Sequence, residues 1–120
     1  MLTVDDFDRA LGFYRDAVGL EQIADWSSED GRVVLLEAGR ATLELFDEAQ
    51  AEHVDRIEAG RRVSGPVRLA VRVDEVEETA SRLSAAGAAQ VAEPVTPPWG
   101  GRNARLETPD GLQLTLFSGD

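Results

Sequence analysis

The sequence predicts a mixed α+β fold of two tandem βαβββ modules. Three observations predict it: one unit is written twice, each copy passes from strand to helix to three strands, and a helical segment joins the copies. At 120 residues the chain has the length of one domain, with material for one core but not for two independent ones. We divide it into a first module at 1–47, a linker helix and joint at 48–65, and a second module at 66–120.

Each copy opens on a strand ending in valine. From Val4 the chain reads VDDFDRALGFYRDAVG and from Val73 VDEVEETASRLSAAG, so in both an Asp cap leads into an amphipathic helix that a Gly closes. Their offset is 69 residues. Next, DGRVVLLEAG at Asp30 matches WGGRNARLET at Trp99, with Arg32 over Arg102, Leu36 over Leu106 and Glu37 over Glu107, at an offset of 70. The closing strands, ATLELF from Ala41 and LQLTLF from Leu112, match at 71. So small a drift across a whole unit marks a duplication. In the second copy Pro109-Asp110-Gly111 turns between the last two strands, with Gly supplying a positive φ. Between the copies, DEAQAEHVDRIEAG carries Val54 and Ile57 at helical spacing and ends at Gly60, and GRRVSGP forms the joint.

Within ATLELF a carboxylate stands in an otherwise apolar strand. Alternation puts Ala41, Leu43 and Leu45 on one face and Thr42, Glu44 and Phe46 on the other. In VRLAVRV the same rule turns Leu69 and Val71 one way and Arg68 and Arg72 the other. We expect Leu43, Leu45, Leu69 and Val71 to pack beneath helices, and Glu44 and Arg68 to face one concavity.

Composition narrows the partners. Net charge is −11, from 12 Arg and no Lys against 23 acidic residues, which disfavours nucleic acid because a phosphate backbone requires a basic surface. Cysteine is absent, which removes disulfides, thiolate metal sites and thiol nucleophiles and fits a reducing compartment. The start, MLTVDDFD, has neither a basic nor an apolar leader region, and no segment approaches the ~18 apolar residues of a membrane span. The expectation is a cytoplasmic protein without a membrane or nucleic-acid partner.

The tandem arrangement, with VDDFDRALGFYRDAVGL, LELF and PWGGRNARLETPDGLQLTLF in that order, resembles the glyoxalase, bleomycin-resistance and ring-cleaving dioxygenase superfamily, the vicinal oxygen chelate proteins. The resemblance covers essentially the whole chain. It implies curved sheets forming an open half-barrel around a cleft, usually completed in a homodimer. In metal-dependent relatives two His and two carboxylates come from the first and last strand of each module, a donor set that suits an octahedral divalent ion. Carried onto this chain, the first ligand position falls before Met1, the second is Glu44, the third Arg68 and the fourth Thr115. Arg68 has no lone pair to donate and Thr115 is a poor substitute for a carboxylate. No metal and no cofactor are expected. The only histidine, His53, lies in the linker helix and reads as a surface residue.

The candidate ligand-binding residues are Glu44, Phe46, Arg68, Arg72, Trp99, Thr115, Phe117 and Trp26, with Glu44 also the one candidate catalytic base. Glu44 and Arg68 either satisfy each other and plug the cleft or receive a polar ligand. Phe46 and Phe117 either floor a site for a planar organic ligand or fill the core. Trp99, in PPWGG, either covers a ligand as a lid or packs in a dimer interface. The favoured function is metal-free binding of a small planar or polar-aromatic molecule, such as antibiotic or natural-product sequestration. The alternatives are a divalent-metal or Glu44-based lyase, isomerase or dioxygenase, and a dimeric scaffold whose cleft its own side chains fill.

Overall fold

The computed structural model of the chain describes residues 1–119; Asp120, the last position of the second module, lies outside the described residues. Two compact units emerge, Met1–His53 and Val54–Asp120, so the boundary falls inside the linker helix rather than at its ends.

The first unit contains β1 (Leu2–Thr3), α1 (Phe7–Leu11), β2 (Gln22–Asp25), β3 (Val33–Ala38) and β4 (Ala41–Phe46). Its sheet runs β1-β4-β3-β2, with β1 parallel to β4 and the other pairs antiparallel. Asp6 caps α1, its side chain accepting from the Arg9 N–H at 3.1 Å. Beyond α1 the chain continues as a π-helix over Gly12–Ala17, with the Val18 N–H reaching the Phe13 carbonyl at 2.9 Å. The sequence supplies a reason: the first copy has one residue more between valine and glycine, Val4 to Gly19 against Val73 to Gly87. A wider turn absorbs that extra residue without rotating the helix off its core. Phe7, Leu11, Val34, Leu36 and Leu45 form that core, with Leu43 packed against it, as alternation requires.

The linker helix, α2 (Glu48–Ala59), crosses the boundary, and Gly60 ends it at φ 77°. Ala51, Val54, Asp55, Glu58 and Ala59 are its buried positions. A helical stripe is therefore present, but of the expected Val54 and Ile57 only Val54 is buried, and two acidic side chains share the stripe with it.

The second unit adds β5 (Arg68–Arg72), α3 (Val76–Ala85), β6 (Ala89–Val95), β7 (Asn103–Glu107) and β8 (Gln113–Phe117), in the sheet order β5-β8-β7-β6. Gly111, at φ 88°, closes the predicted turn, its N–H bonded to the Thr108 carbonyl at 2.9 Å. Two expectations are corrected here. The cap position of α3 is Glu75, not Asp74, and it makes no side-chain cap bond, because the residue standing where Asp6 caps α1 is a longer Glu. Leu69 and Val71 are 50% and 45% exposed rather than packed beneath a helix. They lie on the edge strand β5, whereas α3 closes a core of Val76, Ala104, Leu106 and Leu116 over the inner strands.

Candidate functional site

Strand pairing places the side chains of the second sheet in rows. Arg68 stands beside Gln113 and Glu107, Ala70 beside Thr115 and Arg105, and Arg72 beside Phe117 and Asn103. Cross-strand neighbours share a face, and this face is the one opposite α3, since Ala104, Leu106 and Leu116 alternate with these residues.

Three residues apart, Asp55 and Glu58 project from the same side of α2. They meet Arg105, which is 1% exposed. Its Nη2 donates to Asp55 Oδ1 at 2.9 Å, its Nε to Glu58 Oε1 at 2.7 Å and its Nη1 to Ser64 Oγ at 3.3 Å. Asp55 accepts further bonds from the Val63 and Ser64 N–H groups, at 2.8 and 2.7 Å, from Ser64 Oγ at 2.6 Å and from Arg62 at 3.1 Å. Arg68 lies 3.9 Å from Glu58 and donates to Thr115 Oγ1. The second half of α2 and the joint after it thus close the two inner rows with a buried charge network.

Burial is the largest influence on Asp55 and would raise its pKa. The bonds from Ser64, Val63 and Arg105 outweigh it and hold the carboxyl at about 2. A folded-state pKa below the unfolded value of 3.8 contributes stability that is present above that value and lost as pH falls through it. We expect about 2 kcal/mol of stability to disappear between about pH 4 and pH 2, measured by urea unfolding across that range, and Asp55→Asn to flatten this part of the profile.

The predicted residues scatter over both units. Arg68 and Thr115 come together, 5% and 3% exposed, and the Arg72 guanidinium lies 5.8 Å above the Phe117 ring. Glu44, half-buried on β4 opposite Leu35, is not free, and Phe46 beyond it is buried. Trp26 and Trp99 are exposed. The PPWGG turn is fitted rather than loose: the Gly100 N–H bonds the Pro97 carbonyl at 3.0 Å and Gly101 sits against Ser118. His53 is a partly exposed helix residue, 3.7 Å from Asp30. On the helix side of the second sheet a groove of about 400 Å³ runs between α3 and β6, lined by small and polar residues such as Ala80, Ser81, Ser84 and Glu93.

Arg105, Asp55, Glu58, Ser64 and Asn103 were not among the predicted site residues. The signal was available: Arg105 alternates with Ala104 and Leu106, and Asp55 and Glu58 continue the stripe begun by Ala51.

A divalent ion does not fit this face. At the two ligand positions the resemblance assigns to the second module, a guanidinium is bonded to a hydroxyl, and a second buried guanidinium stands on the Thr115 row. Those groups repel a cation, and the carboxylate beside them, Glu58, is already bonded to Arg105.

Two βαβββ units in tandem, each with its helix on one side of a four-stranded mixed sheet, define the class of protein. The chain belongs to the Glyoxalase/Bleomycin resistance protein/Dioxygenase superfamily, whose family model matches residues 1–116. Among solved structures, a hypothetical protein from Bacillus halodurans C-125 is similar at 19% identity and a TM-score of 0.69, over 99% of this chain and 90% of that one. A superfamily member from Vibrio splendidus 12B01 is similar at 16% and 0.67, over 98% and 94%. Methylmalonyl-CoA epimerase from Mycobacterium tuberculosis is similar at 20% and 0.64, over 99% and 84%. At these identities the likeness is one of fold. No curated protein matches the chain.

Proposed function

We propose that the chain is a metal-free small-molecule-binding member of the superfamily, acting in the cytoplasm as a homodimer that sequesters an antibiotic or related natural product. One observation carries this reading: Arg68 and Thr115, at metal-ligand positions of the resemblance, are bonded to each other beside buried Arg105. A site of that composition favours polar organic groups over a cation. The dimer reading draws support from Val67, just before the edge strand β5, and Leu69 and Val71 on it, three exposed apolar side chains in a chain otherwise rich in charge.

Protein purified without chelators is expected to carry no stoichiometric Ni, Zn, Mn or Fe. A thermal-shift screen of planar and polar-aromatic compounds is expected to find stabilising ligands, since a ligand of the folded state alone raises apparent stability. Light scattering should give about twice the chain mass of 13.0 kDa. Stoichiometric metal with metal-dependent turnover would replace this reading with an enzymatic one.

A further inference from the structure

We propose that the outer row of the second sheet, Arg72, Phe117 and Asn103, is a subsite for a flat ring compound with a carboxylate at one end and a hydrogen-bond donor at the other. This rests on the small-molecule-binding reading above and gives that reading a ligand chemistry.

The three residues are consecutive across β5, β8 and β7, since Arg72 pairs with Phe117 and Phe117 with Asn103. Their side chains therefore share the face of Arg105 and Thr115. The inner rows of that face are tied to α2 through Asp55 and Glu58; the outer row receives neither carboxylate.

Two groups in the row lack partners. Arg72 is exposed and makes no ion pair among the described residues, although the chain holds 23 acidic side chains. Its guanidinium lies over the Phe117 ring, poised as a planar two-toothed donor to a carboxylate. Asn103, 4% exposed, keeps its Oδ1 buried without a hydrogen-bond partner. A buried acceptor left unsatisfied calls for an explanation, and an incoming donor supplies one.

Geometry selects the shape. Arg72 and Asn103 flank β8, so their backbones stand two strand spacings apart, about 9–10 Å. A single aromatic ring with polar groups at opposite ends matches that interval, lying beside the Arg72 guanidinium in offset or edge contact with Phe117. A para arrangement spans the row. An ortho arrangement crowds both groups onto Arg72 and leaves Asn103 unmet.

The test compares 4-hydroxybenzoate, 2-hydroxybenzoate and benzoate by titration into ¹⁵N-labelled protein. We expect 4-hydroxybenzoate to shift the amides of Arg72, Asn103 and Phe117 and to bind about 3- to 10-fold more tightly than benzoate, the worth of one added hydrogen bond. Arg72→Gln, at an exposed position, should abolish binding of all three without lowering the melting temperature. Asn103→Leu should erase the preference for the 4-hydroxy compound over benzoate, while its apo stability holds or rises because an unsatisfied acceptor is gone. Preference for the ortho isomer, binding indifferent to Arg72→Gln, or no shift at millimolar ligand would overturn the proposal. If screening instead finds a compound that perturbs Glu44 and Phe46, small-molecule binding stands and the outer-row subsite is wrong.

Discussion

Replacing Arg105 with leucine is expected to cost about 3–5 kcal/mol of folding stability, the largest loss we expect from any single charged residue of the chain. The guanidinium satisfies Asp55 and Glu58 at once, and all three side chains are nearly inaccessible to water. Removing it leaves two carboxylates buried without their main counterion. Lysine would not substitute well, because a point charge cannot direct separate N–H groups at Asp55, Glu58 and Ser64. The double change Arg105→Leu with Glu58→Leu should recover part of the loss, since one of the stranded charges leaves with its partner. Asp55 keeps its bonds from Ser64, Val63 and Arg62 in either variant, so recovery stays incomplete. Urea unfolding followed by circular dichroism measures both. A loss below about 1 kcal/mol for Arg105→Leu would mean the network is solvated and the charges worth no more than surface pairs. By contrast Arg15, paired with Asp16 on the exposed face of the π-helix, should be replaceable with little effect.

The backbone plan was legible because it rests on periodicity and turn chemistry, which act locally. The duplication, both helices, the closing strands and the turn at Gly111 all follow from residues within a few positions of one another. The π-helix was legible only in retrospect, as the single extra residue between Val4 and Gly19. Alternation assigned Leu69 and Val71 to a face correctly but could not say that the face lies uncovered on an edge strand, because coverage depends on where α3 docks. The same limit hid the buried network. Asp55 and Glu58 fall on the stripe begun by Ala51, but the guanidinium that lets them be buried comes from 47 or 50 residues away, beyond the reach of local pattern. Alternation and the resemblance singled out Arg68, and the resemblance alone Thr115; their mutual bond is a tertiary fact.

Gly101→Ala should destabilise the protein by about 2–5 kcal/mol, and Gly100→Ala by clearly less. Both glycines have positive φ, 91° at Gly100 and 73° at Gly101, a region that costs an L residue about 1–2 kcal/mol. Only one of them is also crowded. A Cβ at Gly100 meets nothing within 4 Å, whereas at Gly101 it would overlap the Ser118 carbonyl oxygen and come within 3.2 Å of the carbonyl carbon. That carbonyl belongs to backbone just after β8, where the Ser118 N–H bonds the Arg102 carbonyl at 3.0 Å, so relief requires moving the end of a strand rather than a side-chain tip. Overpacking of this kind adds about 1–3 kcal/mol to the conformational cost. The comparison also discriminates between two views of the Trp99 loop. If PPWGG works as a hinged lid, both substitutions should stiffen the loop and change ligand kinetics while costing similar, small amounts of stability. If Gly101 is there for its close approach to Ser118, the two variants should separate by well over 1 kcal/mol in thermal or urea unfolding, with Trp99 emission following the same transition as the rest of the unit. Equal losses at the two glycines would refute the fitted turn.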